Sequence, residues 1–449
     1  MRSVLVAMAA LAMGCSGSNS VGVDSGGGGG TEDGGGASDD DGGGTTNQPH
    51  SVKLTLANRP TNGAMFSFLV AYQDGSAAWQ VAPAPSGDVY TLPIYAPSYG
   101  VAFACIGAAT GTTTQIRSVT SAHFAIGERD ELTLEVPARC SDRAGQTVPL
   151  TGTVQNRPFG GVLSVQFGGK TAFVSGQSGG FSLQAPAGTH DLIVSHAVSQ
   201  GSGDFYVDRV WIERNVTLNG PTTRTINFNN AADPSTYGVN IGPSPIDVRA
   251  SASTTLYTAN GSTLGLVKVS FNLQTKALDD PQMVTSDVYD QSITVSRTGG
   301  SATITNATND PIDQTFVAPP ALGAITTTVP THMPYATLET SWSKYANAIG
   351  YQWNAQQQGF QACGNTSCTI AWSAYLSPGV LGTMPAYRMP DLSALPGWKA
   401  AFQLVSGAQV VGGVTALTSS AGTADFPTVT PPANGTERAF VRTDFAVTP

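Results

Sequence analysis

Charge is what this sequence has least of. Only 11% of its 449 residues are Asp, Glu, Lys or Arg, against the usual quarter, and Ser, Thr, Gly and Ala stand in their place. The net charge of −9 leaves no basic patch to neutralise phosphates, so nucleic acid is not an expected partner. Helical periodicity is nearly missing, which excludes a phosphate loop, because that loop needs a helix behind it. Histidine is scarce. His50, His123, His190, His196 and His332 are the whole set, and no pair has the spacing of a metal helix or a zinc finger. No metal and no cofactor is expected. The one continuous apolar run, residues 4–13, is about half the length a membrane-crossing helix needs. With no second run, lipid is the only membrane link the chain offers.

What is present divides at residue 50. Arg2, the apolar run and Gly14-Cys15-Ser16 have the order of an export signal: a positive start, a short apolar stretch, small residues at its end. Residues 16–50 contain no Phe, Tyr or Trp, and no aliphatic residue larger than Val21 and Val23. Such a segment cannot bury enough apolar surface to offset chain entropy, so disorder is expected. As a Gly-rich coil of about 35 residues it would span roughly 30 Å. Its six acidic residues (Asp24, Glu32, Asp33, Asp39, Asp40, Asp41) and Arg2 account for a net five of the nine negative charges, leaving −4 for the rest. The run Asp39-Asp40-Asp41 lacks the alternating ligands and distant bidentate carboxylate of a calcium loop and reads as a solvated spacer.

Beyond residue 50, period-two alternation recurs throughout, and the chain is too long for a single core. The fold class expected is all-β: tandem antiparallel β-sandwich modules behind a disordered Gly/Asp-rich linker. In the first module, 51–146, Val52, Leu54 and Leu56 alternate. A run from Phe66 to Tyr72 turns at Asp74-Gly75 and returns through Trp79 as a hairpin. Val101, Phe103 and Cys105 share one strand face, while Leu132, Leu134 and Val136 share another that points Cys140 inward. Cys105 is therefore paired with Cys140, a bridge stabilising by roughly 3 to 4 kcal/mol in the chain-entropy model. The second module, 147–232, echoes the first: Asn58-Arg59-Pro60 recurs as Asn156-Arg157-Pro158, and Tyr90-Thr91-Leu92 as Phe181-Ser182-Leu183. A third β module covers 233–335, with Val267, Val269, Phe271 and Leu273 alternating. The fourth, 336–449, opens with Leu338, Thr340 and Trp342, then Ala348, Tyr351 and Trp353. Cys363 and Cys368 read as a disulfide across a loop tip, and 390–398 as a single helical turn.

Three resemblances attach to these residues. Leu11-Ala12-Met13-Gly14-Cys15 resembles the lipobox of bacterial lipoproteins, although Ala12 stands where that pattern prefers Leu. The resemblance implies acylation of Cys15 and, with Ser16 following rather than Asp, an outer-membrane destination facing the periplasm or the cell surface. An ordinary signal cut after Ala10-Leu11-Ala12 would instead leave Cys15 as a thiol. Cysteine parity favours lipidation, because five cysteines less Cys15 leave two pairs. Residues 179–192, with the turn Pro186-Ala187-Gly188-Thr189, resemble the carboxypeptidase regulatory-like β-sandwich, which implies a non-catalytic structural domain. Trp342, Ala348, Tyr351 and Trp353 resemble the opening of a fibronectin type III domain.

Candidate chemistry is thin. Gly176-Gln177-Ser178-Gly179-Gly180 matches the nucleophile-elbow pattern, but the chemistry needs a strand-to-helix turn and the next residues alternate as a strand. His190 and Asp191 are neighbours on a strand and point to opposite faces. No catalytic residue is expected; a serine hydrolase using Ser178 and His190 is the alternative class. Aromatics crowd the last module, and flat rings on a sandwich can stack on sugar rings or anchor a protein. Alternation directs Trp342 and Trp353 inward and leaves Trp372, Trp398 and Tyr375 as candidate binding residues. The expected function is a non-enzymatic, lipid-anchored scaffold or binding protein, or a carbohydrate-binding adhesin using those aromatics.

Overall fold

The alternation becomes strand along most of the chain. The computed structural model describes residues 48–449 except 63–65, 108–114, 143–146, 177, 200–202, 243–248, 279–281, 334, 360–367 and 428–430. Cys15, the part of the expected linker up to Asn47 and Cys363 lie outside the described residues. Among the described residues the protein is all-β: strands and four short 3-10 turns, with no α-helix. The segment 390–398, read as a helical turn, is a run of hydrogen-bonded turns, and the 3-10 turn follows it at Ala400–Phe402.

Among the described residues the strands form four sandwiches of seven strands each. The first uses His50–Ala57, Leu69–Asp74, Gln80–Val81, Val89–Ile94, Ser98–Ile106, Gln115–Ala125 and Glu131–Glu135; the second runs from Thr147–Gln155 to Thr222–Asn227, and the third from Ser235–Ile241 to Gln314–Phe316. These three share one topology. Counting strands within a module, a small sheet has the order four-one-seven and a large one three-two-five-six, and the first strand lies parallel to the seventh. The fourth module begins at Ile325–Thr331, ahead of the boundary at 336, because that strand pairs with Thr337–Trp342. Its small sheet is one-two-five and its large sheet seven-six-three-four.

The repeated Asn-Arg-Pro has a shared structural cause. Asn58 and Asn156 both take positive φ at the end of the first strand, a conformation asparagine tolerates better than most residues. The arginine that follows then reaches the turn ahead of the fourth strand. Arg59 donates to the Gly87 carbonyl at 3.3 Å, and Arg157 to the Ser175 and Gly176 carbonyls at 2.8 and 3.0 Å. Cys105 and Cys140 are bonded, with Cα atoms 6.0 Å apart, and both sulfurs sit in the buried core of the first module. Cys368 is also disulfide-bonded.

The four large sheets join edge to edge into a single sheet of 16 strands, in the spatial order second, third, fourth, first module. Among the described residues the ladder between the second and third has two pairs, Phe205 with Val269 and Tyr206 with Val267. The third and fourth pair along Gly300 to Asn306. The fourth and first are joined by a parallel ladder between Cys368–Leu376 and Gln115–His123. Packing seals these joints. The core of the fourth module takes in Leu69, Ala102, Ala104 and Val119 from the first, and the third packs on Ile193, Val207 and Val210 of the second.

Chain order and spatial order disagree, and this bends the sheet. Thr147 follows Cys140 by seven residues, a reach of roughly 25 Å at most. Eight strands of the third and fourth modules intervene in the sheet order, which laid flat would separate the first and second modules by roughly 40 Å. The sheet is therefore coiled, so that its two end modules approach each other.

Candidate functional site

Where the first module meets the fourth, the joint opens into a cleft. One wall is the hairpin of Leu69–Asp74 and Gln80–Val81. Its turn is fixed by Asp74, whose carboxylate accepts from the Tyr95 and Ala96 backbone amides at 3.1 and 2.7 Å. Gln73 Nε2 donates to the Ala77 carbonyl at 2.8 Å. Gly75 takes φ +57°, and a Cβ there would meet the Ala96 Cβ at 2.6 Å. The turn delivers Trp79, half-buried, against His123, ring centroids 5.9 Å apart and edge-on. Gly100 makes this possible. It lies across the ladder from both Gln73 and His123, and a Cβ there would stand 3.1 Å from the indole and 3.0 Å from the imidazole.

The other wall belongs to the fourth module: the hairpin end with Thr331, Met333 and Thr337, and the segment from Arg388 to Leu395. Between the walls lies a cavity of about 550 Å³ lined by Trp79, Gln73, Met333, Arg388 and Asp391 among others. A smaller cavity of about 150 Å³ adjoins it, lined by His123, Tyr99, Tyr387 and again Arg388. The larger falls within the ~300–1,000 Å³ of typical ligand pockets.

The polar groups here have distinct states. Arg388 is exposed and makes no ion pair or hydrogen bond among the described residues; Glu339 lies opposite it in the ladder but does not pair with it. Asp391 Oδ1 accepts from the Ser393 amide at 2.9 Å and its hydroxyl at 2.6 Å, leaving Oδ2 open. Burial pushes His123 down to about 4, so its ring is neutral at physiological pH. Its Nε2 is enclosed without a partner, and the ring also meets Tyr387 edge-on at 5.8 Å.

The aromatics singled out in the sequence lie elsewhere. Trp372 is 1% exposed, donates its Nε1 to the Phe402 carbonyl at 2.9 Å and presents no open face. Trp398 is half-buried, stacked on Tyr335 with centroids 5.8 Å apart and tilted against Phe402 at 5.1 Å. Tyr375 is half-buried edge-on to Phe426 at 5.9 Å. Trp372 and Trp398 pack on each other with centroids 5.9 Å apart in the core of the fourth module, whereas Tyr375 packs against the core of the first, so the three do not share one surface. Trp79 is the residue the sequence reading passed over as part of a hairpin. Its signal was Gly100, small where a bulky partner would have blocked the indole.

Ser178 and His190 are not brought together. Ser178 sits in a loop crossing between the two sheets of the second module, where its Oγ accepts from the Gly180 amide at 3.2 Å. His190 stands beside Pro186, at the far end of the seven-residue strand Gly180–Pro186, roughly 20 Å away at strand spacing. Its Nδ1 is 3.0 Å from the Asn260 carbonyl. His196 is satisfied by Asp208 at 2.6 Å and the Gly160 carbonyl at 2.9 Å. Among the described residues no group of three or more His, Cys, Asp or Glu is placed to hold a metal ion.

No family model matches the chain, and no curated protein matches it. Among solved structures it is similar to the FN1–FN3 domains of chicken CNTN1, at 9% identity over 71% of this chain and 89% of that one, TM-score 0.14. It is also similar to the Bacillus anthracis TIE protein, at 10% identity over 60% of this chain and half of that one, TM-score 0.15. A streptococcal ancillary pilin matches at 10% identity over 61% of this chain and 100% of that one, TM-score 0.13. At such TM-scores these likenesses carry no argument about what the chain does, and its class, a tandem β-sandwich protein, rests on its own strands.

Proposed function

We propose that the protein is an outer-membrane lipoprotein, anchored through Cys15, that holds a rigid, non-catalytic β-scaffold off the membrane and binds its ligand in the cleft between the first and fourth modules. The observation that carries this reading is the joint itself. Two modules at opposite ends of the chain are fused by a nine-residue parallel ladder and a shared core, yet the seam keeps a cavity lined by Arg388, a cation with no partner among the described residues. A seam serving stability alone would close on itself, since unfilled space forfeits contact energy. The separation of Ser178 from His190 supports a binding role over a hydrolytic one.

Two measurements test the reading. Changing Cys15→Ser is expected to move the protein from the membrane fraction to the soluble one; a variant still sedimenting with membranes would refute the anchor. Ala394→Trp, at an exposed position lining the cleft, is expected to abolish capture on a mixed glycan and peptide array while leaving the thermal midpoint unchanged. Capture equal to that of the parent protein would place the binding surface elsewhere.

A further inference from the structure

Resting on that reading, we infer that the cleft takes an uncharged pyranose sugar, its ring stacked on Trp79 and a pair of neighbouring hydroxyls held between Arg388 and Asp391. Sugars combine an apolar face of C–H groups with a rim of hydroxyls that both donate and accept. A site for one needs a flat aromatic wall, a fixed donor and a fixed acceptor. The cleft has all three: the half-buried indole, a guanidinium with no partner among the described residues, and a carboxylate of which only Oδ1 is engaged, by Ser393. Arg388 and Asp391 are three residues apart and line the same cavity. Their hydrogen bonds would be charge-assisted, the stronger kind.

The charges decide against an acidic sugar. One arginine facing Asp391, with Glu339 opposite it in the ladder, leaves no net positive field for a carboxylate. The strands bordering the cleft decide against an extended peptide. Strand addition draws its affinity from a run of free backbone groups; the edge strands Gln80–Val81 and Ala386–Arg388 are two and three residues long, and the longer edge Ile325–Thr331 lines the cleft only through Thr331.

The test is saturation-transfer NMR and calorimetric titration of the full-length protein in detergent. The probes are the methyl pyranosides of glucose, galactose and mannose, with glucuronate and an extended decapeptide as comparators. At least one neutral pyranoside is expected to bind, with saturation strongest on its ring C–H protons. Arg388→Gln and Asp391→Asn are each expected to weaken it roughly tenfold to a hundredfold, the loss of a hydrogen bond to a charged group. Trp79→Ala is expected to remove the ring-proton signal, and Trp79→Phe, the milder change, to weaken it. Preference for glucuronate or for the peptide, or neutral-sugar binding indifferent to all four variants, overturns the inference. Failure of every pyranoside at millimolar concentration also overturns it. That failure is distinguishable from failure of the binding-cleft reading, because an array ligand that Ala394→Trp abolishes would still locate binding in the cleft.

Discussion

At the scale of single residues, the most consequential group is Arg214. It lies between Asp191 of the second module and Asp287 of the third, donating to Asp191 at 2.9 Å and to Asp287 at 2.6 and 3.1 Å. Both carboxylates are fully buried. Removing this cation strands two buried charges, so Arg214→Met is expected to destabilise by about 3–5 kcal/mol, read by denaturant unfolding. Acid acts on the same residues. Burial would push Asp191 up, but hydrogen bonds from the Asn215 amide, Asn260 and Arg214 outweigh it and hold the carboxyl below its ordinary range. A carboxyl held lower in the folded than in the unfolded chain contributes stability above its ordinary pKa of about 4 and loses it as pH falls further. Stability of the native protein is therefore expected to drop below about pH 4, with a shallower drop in Arg214→Met. None of this was legible beforehand. His190-Asp191 was read as a poor catalytic pair, and nothing in the linear order shows that the far side of Asp191 meets another module.

At the scale of elements, alternation was a sound guide to strands and a poor one to their neighbours. Val101, Phe103 and Cys105 do face the core of the first module, but Ala102 and Ala104 are equally buried, because the fourth module covers the other face. The sign was available: Tyr99 to Ile106 is almost continuously apolar, as strands covered on both sides are. In the third module the pattern through Phe271 and Leu273 overran the strand, which ends at Ser270. There Asp204 accepts from the Phe271 amide at 2.6 Å, Leu273 takes φ +55°, and Phe271 turns out to solvent. The Cys105–Cys140 bridge was legible because Cys105 keeps phase with its strand, and Cys140, although it lies past the end of Glu131–Glu135 in the 3-10 turn Ala138–Cys140, still turns inward as the spacing implied. The double change Cys105→Ser with Cys140→Ser is expected to cost about 3–4 kcal/mol, with binding in the cleft retained. A loss below 1 kcal/mol, measured by chemical denaturation, would mean that the reduced chain stays equally constrained.

At the scale of the molecule, tandem β-sandwich modules were readable but their fusion was not, since pairing between distant modules leaves no mark in local periodicity. The cleft shared that fate. Its walls come from residues some three hundred positions apart, and Trp79 and Arg388 meet only because the last module docks beside the first. The fourth module is consequently a keystone. Ending the chain before Ile325 would bare Leu69, Ala102, Ala104 and Val119, together with the open edges of Gln115–Ala125 and Gly300–Thr308. Exposed strand edges recruit other chains. Such a truncated protein is expected to self-associate in size-exclusion chromatography and to melt at lower temperature; a stable monomer would show the first three modules to be self-sufficient.

The parallel pairing of first and seventh strands, repeated in three modules, governs how the molecule answers a pull. Tension entering at His50 and leaving past Glu135 draws two side-by-side strands lengthwise in opposite directions. Every rung between Lys53 and Ala57 and its partners from Glu131 to Glu135 is then strained at once instead of parting one after another. If the chain is anchored through Cys15 as proposed, drag from flowing liquid is spread across this ladder and the first module keeps its shape for that reason.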